Sequence, residues 1–202
     1  MAHYFSKEER RKQLLEAAIW AFGHKGYHRA QVSDIIKKAK VARGTFYLYF
    51  ESKREIFDAI ITDLFQSVQE KITRIPKEAV SEIPFQILGN LERVTEYLLR
   101  NPLLMKILLS ESVGLDQDLD SRLRKFYGQI LELIRRGLNQ GQEMGFVREG
   151  NIHVLAVCLL GSVKEIFYQS LLGTEKPTAQ AIVSEIYALM MGGIAHPGLK
   201  MG

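Results

Sequence analysis

Side chains suited to binding another molecule are concentrated between residues 39 and 53, in the segment AKVARGTFYLYFESK. The ones that can form strong hydrogen bonds are Arg43, Thr45, Tyr47, Tyr49 and Lys53. Arginine pairs best with the O6 and N7 atoms of guanine, whereas hydroxyl and ammonium groups suit phosphate oxygens. This combination of residue types favours contact with DNA.

Short helical patterns position this segment. A first helix is predicted from apolar residues at steps of three and four, and we expect Gly23 and Gly26 to end it. A second helix is predicted over 31–39 and a third over 43–50. Two short helices joined by a tight turn are typical of a helix-turn-helix, whose second helix enters a DNA major groove.

A set of residues in this region forms a longer pattern: Leu14-Leu15-x-Ala17-Ala18, Phe22, Gly26-Tyr27, Val32-x-Asp34-Ile35, Ala39-x-Val41-x-Arg43-Gly44-Thr45-x-Tyr47-x-Tyr49-Phe50 and Ser52-Lys53. In order and spacing the pattern resembles the N-terminal signature of TetR-family transcriptional regulators, and it covers roughly residues 10–60. The resemblance implies a helix-turn-helix DNA-binding domain over residues 1–52. It also implies a helical effector-binding and dimerisation domain over 53–202. Residues 26–33 and 44–50 are further similar to the fatty-acid-degradation repressors of that family.

Two residues of the turn depart from the family pattern. Lys40 stands where the family usually has glycine, and Ala42 stands where it usually has serine or threonine. If Lys40 takes a positive φ, the left-handed conformation costs about 1 kcal/mol. Ala42 has no side-chain oxygen to cap the next helix, which forgoes about another 1 kcal/mol. We therefore expect a turn that is softer until DNA holds it.

The candidate DNA contacts differ in the part of the duplex that each would meet. Arg43 is the candidate for reading a base edge, Leu48 for touching a thymine methyl group, and Lys53 for binding a phosphate at a helix start. By resemblance, Tyr47 holds a phosphate and position 49 faces DNA. The full candidate set is Gln31, Ser33, Ala42, Arg43, Gly44, Thr45, Tyr47, Leu48, Tyr49 and Lys53.

Structural alternatives exist for several of these residues. Arg43 could be an ordinary surface arginine, and either tyrosine could be a core aromatic with a tethered hydroxyl group. Leu48 could be an incidental apolar surface residue. Phe46 and Phe50, by contrast, are assigned to the core of the domain.

The charge of the chain is unevenly distributed. Residues 1–50 contain ten Lys and Arg against four Asp and Glu, a balance of +6, whereas the whole chain carries +4. A basic N-terminal part on a slightly acidic remainder predicts that only the first part meets a polyanion. On charge alone, a solvated helical surface is an equal alternative.

The remainder of the chain reads as helices without a β-alternating run of useful length. These helices are predicted to begin near residue 52 and at residues 83, 103, 116, 152 and 178. The first of them is predicted to end near residue 74, and the last near residue 196. The predicted fold is all-α, with about nine helices: an N-terminal three-helix helix-turn-helix head on a larger helical ligand-binding and dimerisation body.

Two functions are predicted for the helical body. The last two helices are the candidates for the interface of a dimer that binds a palindromic operator. Their apolar residues exceed what one buried face needs, and Gly192 and Gly193 permit close approach of another helix. The alternative is that the two helices form a buried core pair. The other helices could enclose an apolar effector, for which the resemblance implies a long-chain acyl-CoA. The candidate lining residues, any of which could instead be plain core, are Phe65, Tyr97, Met105, Leu109, Phe126, Tyr127, Ile130, Phe167 and Tyr168.

Other functional classes find little support. The chain has no GxGxxG, P-loop, HExxH or GxSxG motif. Of its five histidines only His24 and His28 are four positions apart, and Gly26, where we expect the first helix to end, lies between them, so we expect no enzyme, metal or cofactor. Cys158, the only cysteine, excludes an intrachain disulfide. The longest apolar-or-small run, 154–163, is about half of what a bilayer requires. We expect a cytoplasmic repressor that binds double-stranded DNA as a homodimer, is released by a ligand and makes no membrane contact. The alternative is an architectural DNA-binding protein that has no effector.

Overall fold

The computed structural model describes residues 5–73, 82–109 and 117–194, apart from the side chains of 117–119. Nine α-helices account for the regular structure of this part of the chain, which confirms the predicted all-α fold. Their bounds are α1 Lys7–Lys25, α2 Val32–Ala39, α3 Arg43–Tyr47, α4 Lys53–Lys71, α5 Ile83–Leu99, α6 Pro102–Leu109, α7 Gln117–Glu143, α8 Ile152–Leu172 and α9 Ala179–Gly193. The expected ends near 74 and 196 lie outside the described residues.

The chain divides into two compact units. The first comprises the described residues up to Gln66 and those between Asn101 and Arg122. The second comprises those from Ser67 to Arg100 and from Leu123 onward. Compactness thus groups α6 and most of α4 with the three N-terminal helices, whereas a functional division after residue 52 stays a prediction.

The core of the first unit is built around aromatic side chains. Phe46 and Phe57 are fully buried, and Phe50 is nearly so, as expected for Phe46 and Phe50 from the sequence. Phe57 lies 5.8 Å from the ring of Phe22 and 4.8 Å from that of Tyr27, measured between centroids. These contacts fix the start of α4 against α1 and the loop that follows α1.

Gly23 does not end α1, contrary to expectation. The helix continues to Lys25, and Gly26 follows it with a φ of 77° and a ψ of 154°, which is a positive φ outside the left-handed helical region. A Cβ atom on Gly23 would lie 2.8 Å from Cδ2 of Leu103 in α6. Glycine is therefore needed here because α1 and α6 pack closely.

The second unit has its own core, formed where α7 turns back into α8. The buried side chains there are Ile83, Leu138, Phe146, Val147, Leu155, Ala156, Leu159 and Ile194. Gly145 has a φ of 70°, and a Cβ on Gly141 would lie 2.5 Å from Cγ2 of Val147. These two glycines let the chain reverse tightly after α7.

Helix α8 is more apolar as a whole than its longest uninterrupted apolar run suggests. Among the described residues it is the one helix long and apolar enough to cross a bilayer, with a mean hydropathy of 1.4 over its most apolar window. That window is only 22% buried. A helix of this kind is also what a protein–protein interface requires, so its length and composition alone are weak evidence for a membrane.

Candidate nucleic-acid interface

The turn between α2 and α3 has the geometry that its unusual residues predict. Lys40 takes the left-handed conformation, with φ of 52° and ψ of 45°, and its N–H donates to the carbonyl of Lys37 at 3.3 Å. Ala42 precedes α3 in an extended conformation and makes no side-chain capping bond. The turn therefore carries both of the costs inferred from the sequence.

Helix α3 is shorter than expected, because it ends at Tyr47 and not near Phe50. After it, the N–H of Leu48 donates to the carbonyl of Gly44 at 3.1 Å, and that of Phe50 donates to Phe46 at 3.0 Å. These two bonds keep the chain turning until Phe50 enters the core. The segment 43–50 thus acts as one compact bend with a single short helix in it.

The exposed side of this segment carries most of the predicted DNA contacts. Ala42, Arg43 and Gly44 are exposed, as are Tyr47 at 45% and Leu48 at 80%. Thr45 and Tyr49 are half-buried. Because Tyr47 is nearly half exposed, it is not the fully buried core aromatic that was its alternative.

The Arg43 guanidinium lies 5.8 Å from the centroid of the Tyr47 ring. At this distance a cation is attracted to the face of the ring, which restrains the arginine without enclosing it. Arg43 is at the N-terminal end of α3, the end from which a recognition helix first reaches base edges. The pair therefore presents a guanidinium and a phenol together on the exposed surface.

The start of α2 carries the remaining two polar candidates. Gln31 and Ser33 are both exposed, and the Ser33 hydroxyl donates to Oε1 of Gln31 at 3.3 Å. Asp34 accepts a bond from the Gln31 N–H at 2.9 Å and one from Nζ of Lys25 at 2.5 Å. The hydrogen bond from Lys25, followed by that from the Gln31 N–H, lowers the pKa of Asp34 below its usual range. An ionised carboxylate thus fixes the start of α2.

Lys53 is placed differently from the phosphate contact expected of it. Its Nζ donates to the carbonyl oxygens of Tyr27 at 2.8 Å and Ala30 at 3.0 Å, with that of His28 at 3.4 Å. Three acceptors match the three N–H donors of an ammonium group. In this conformation Lys53 is bound to the protein's own backbone, and the phosphate contact expected of it stays a prediction.

The predicted effector-lining residues are divided between the two units. Phe65, Met105 and Leu109 belong to the first unit, and the other six belong to the second. Four of the nine are buried, and the five half-buried ones are Phe65, Tyr97, Tyr127, Ile130 and Tyr168.

The second unit also has an open depression of about 260 Å³ beside the end of α8. It is lined by Glu165, Ile166, Gln169, Ser170, Glu175 and Pro177, none of which is among the nine candidates. The role of the nine candidates as an effector site therefore stays a prediction.

The last two helices leave an apolar surface uncovered. The exposed large side chains on them are Val154 at 53%, Val157 at 46%, Leu172 at 67% and Leu189 at 59%. Cys158 is also exposed, and no described atom outside the helix itself lies within 4 Å of a Cβ built on Gly161, Gly192 or Gly193. Within the described part of the chain these residues are not covered by other side chains, and we refer to them as the α8/α9 face.

Comparison with known proteins places the N-terminal part of the chain with DNA-binding regulators. Residues 14–60 match the family described as bacterial regulatory proteins, tetR family. The chain is also 29% identical to the fatty acid metabolism regulator protein of Bacillus subtilis, over 93% of its own length and 98% of the relative's.

Solved structures share the fold of nearly the whole chain. A proposed fatty acid metabolism regulator of Clostridium perfringens has a TM-score of 0.76 at 28% identity, covering 94% of this chain and 100% of that one. The transcriptional regulator FadR of Bacillus subtilis, in complex with stearoyl-CoA, has a TM-score of 0.74 at 20% identity, covering 94% and 99%. These similar proteins are regulators and not enzymes, which agrees with the absence of catalytic motifs.

Proposed function

We propose that this chain is a transcriptional regulator of the TetR family, a repressor that binds a palindromic operator as a homodimer and is released by a largely apolar effector. The observation that carries the proposal is the segment 43–50, where Arg43 and Leu48 are exposed above a fully buried Phe46. A rigid core beneath an exposed guanidinium and apolar tip is suited to reading base edges. Gln31 and Ser33 would meet the flanking phosphates.

The α8/α9 face supports a dimer. Large exposed apolar residues on neighbouring helices indicate a surface that another protein covers. Close approach is possible at Gly192 and Gly193, where a Cβ would meet nothing within 4 Å. A second copy of the same face would bury these residues and present two helix-turn-helix segments to one duplex.

A long-chain acyl-CoA is the proposed effector. The support is the full-length similarity to a fatty acid metabolism regulator and the apolar character of the nine candidate residues. Such a ligand would enter the helical body and lower the affinity of the dimer for DNA. We place the protein in the cytoplasm, where both DNA and acyl-CoA are found.

One experiment tests the operator and the effector together. Duplexes selected from a random pool by the full chain should converge on an inverted repeat, and stearoyl-CoA should release that duplex at fixed salt. Free coenzyme A and stearate serve as controls for the two halves of the ligand. Failure to select any sequence would exclude a specific regulator.

The same titration separates the proposed repressor from the alternative function. Selection without release by any acyl-CoA or other apolar metabolite would favour an architectural DNA-binding protein that has no effector. Release by stearate alone, without the coenzyme A part, would keep the repressor but change the effector class.

A further inference from the structure

Lys53, the first residue of α4, lies beneath the loop that connects α1 to α2. We call residues 26–31 the α1–α2 loop. Three of its carbonyl oxygens, those of Tyr27, His28 and Ala30, lie 2.8, 3.4 and 3.0 Å from Nζ of Lys53. The same ammonium lies 4.4 Å from the centroid of the Tyr27 ring. The half-buried ammonium of Lys53 therefore faces backbone dipoles and one aromatic ring of this loop.

Lys53 is a donor to these carbonyls from outside the loop. Residues 27–30 lie between α1 and α2, so their carbonyls are not part of the hydrogen-bond ladder of either helix. The loop's own bond, from the Ala30 N–H to the Gly26 carbonyl at 3.1 Å, satisfies neither Tyr27 nor Ala30 oxygen. Lys53 supplies donors to both, and the bonds are partly buried.

The bound loop is continuous with the DNA-facing surface on one side and the core on the other. Ala30 is fully buried and precedes Gln31, the N-cap of α2. Tyr27 packs 5.4 Å from Phe22 and 4.8 Å from Phe57, between ring centroids. A shift of the Lys53 ammonium would therefore move the residues that set where α2 begins.

We propose that Lys53 is a positioning residue for DNA binding, which acts by holding the α1–α2 loop and thereby the start of α2, and does not bind phosphate itself. This inference rests on the proposed function of the helix-turn-helix. The positive charge of Lys53 is already directed at carbonyl dipoles of the protein. An ammonium, with three donors on a flexible stem, suits this arrangement, whereas the planar guanidinium of arginine does not.

Two substitutions distinguish positioning from phosphate binding. Lys53→Arg keeps the charge and its reach but does not fit the three carbonyls, and Lys53→Met removes the charge. We expect both variants of the full chain to lose about tenfold or more in affinity for the selected operator, through the lost hydrogen bonds to a charged group. Affinity for a random duplex and the slope of log affinity against log salt should stay as in the wild type.

The opposite pattern would overturn the proposal. A phosphate contact tolerates arginine, so Lys53→Arg would then bind like the wild type. Lys53→Met would weaken operator and random DNA alike and reduce the salt slope by about one unit. Lys12→Met, which removes one charge from an exposed position on α1, is the matched control for charge alone.

A second measurement covers a variant that folds poorly. Amide hydrogen exchange on the Lys53→Arg chain without DNA should be faster in the α1–α2 loop and at the start of α2, but unchanged in α8. Lys53→Ala should recover operator affinity in n-propylammonium, which replaces the missing stem and donors, and not in tetramethylammonium, which has no N–H. No change in loop exchange and no recovery would contradict positioning.

The outcome also separates this inference from the proposed function. If the wild type selects no operator, the regulator itself is disproved and the positioning role for DNA falls with it. If the wild type selects an operator and Lys53→Arg binds it equally well, only the positioning role fails.

Discussion

The two compact units differ in what they leave exposed. In the first unit the large apolar residues at the surface are Phe5, Tyr47 and Leu48, two of them in or beside α3. In the second unit they are Phe85 and four residues of α8 and α9. The first unit exposes apolar groups beside hydrogen-bond donors, which suits a DNA duplex that presents phosphates, polar base edges and thymine methyl groups. The second exposes an apolar stripe beside glycines, which suits another helix surface.

The difference lies in where each unit keeps its large apolar side chains. Among the described residues of the first unit, Phe46 and Phe57 are fully buried and the exposed Tyr47 and Leu48 lie in or beside α3. Leu172 and Leu189 are more than half exposed, so the second unit has apolar area still to bury. The predictions below test this contrast, from the largest expected effect to the smallest.

Removal of a buried aromatic ring from the first unit should have the largest effect. Phe57→Ala removes a fully buried ring that contacts Phe22 and Tyr27, and it should lower the free energy of unfolding by about 3–5 kcal/mol. Urea unfolding followed by circular dichroism measures this change. Leu172→Ala, at a position 67% exposed, should change stability by less than about 0.5 kcal/mol under conditions where the chain is monomeric. Equal losses at both positions would remove the contrast.

A charge on the α8/α9 face should weaken the dimer. Leu189→Glu places a carboxylate on a surface that pairing would desolvate, and we expect about 100-fold weaker association, or roughly 2.8 kcal/mol. Sedimentation equilibrium gives the dissociation constant. Phe85→Glu is the matched control, because Phe85 is 77% exposed but lies on α5. If Phe85→Glu dissociates the dimer and Leu189→Glu does not, the interface is elsewhere.

Truncation of the candidate base-reading side chain should affect only the selected sequence. Arg43→Ala should cost about 1–3 kcal/mol of specific binding and relax the preference at one base position. Fluorescence anisotropy with the operator and its single-base variants measures both effects. An equal loss on operator and random duplex would show that Arg43 binds the backbone and reads no base.

The turn should become more stable when its strained residue is replaced. Lys40→Gly relieves the strain of a left-handed lysine at φ of 52°. Glycine also gives the unfolded chain more conformational freedom, which offsets part of this gain, so the free energy of unfolding should rise by about 0.5–1 kcal/mol. Lys37→Gly, inside α2, should instead cost about 1 kcal/mol. Thermal unfolding of the two variants should shift in opposite directions, and shifts of the same sign would show that the turn is not strained.

The smallest effect should be a pH dependence from Asp34. Because its folded-state pKa lies below its unfolded value, ionised Asp34 stabilises the fold at neutral pH, and that stabilisation is lost as the pH falls through the folded pKa, below about pH 4. Asp34→Asn should therefore be less stable than the wild type at pH 7. We expect this loss in the free energy of unfolding to be smaller than the effects predicted for the variants at Phe57, Leu189, Arg43 and Lys40. The difference between the two proteins should shrink as the pH is lowered below about 4, and a constant difference would contradict the linkage.

Local residue patterns predicted more of the first unit than of the second. The sequence assigns Phe46 and Phe50 to the core, and the family's usual glycine at the position of Lys40 raises the condition of a positive φ, which the structure shows. Each of these depends on neighbours within a few positions, where periodicity and turn chemistry decide the outcome.

Contacts between distant positions could not be predicted from those patterns. Gly23 is required by Leu103, eighty positions later, so its role in α1 was misread as a helix end. The Lys53 ammonium contacts the carbonyls of Tyr27, His28 and Ala30, and no side-chain pattern predicts where backbone oxygens converge. The grouping of α6 with the N-terminal helices is equally a property of packing, which a one-dimensional pattern does not contain.

The exposed thiol of Cys158 gives the chain its own reporter of assembly. Because it is the only sulfhydryl in the sequence and stands on the α8/α9 face, a thiol-reactive reagent can modify each protomer just once and, if the proposed dimer forms through this face, only while the protomer is unpaired. The rate of alkylation, followed against protein concentration, would therefore count the unpaired protomers in the native protein without an introduced label.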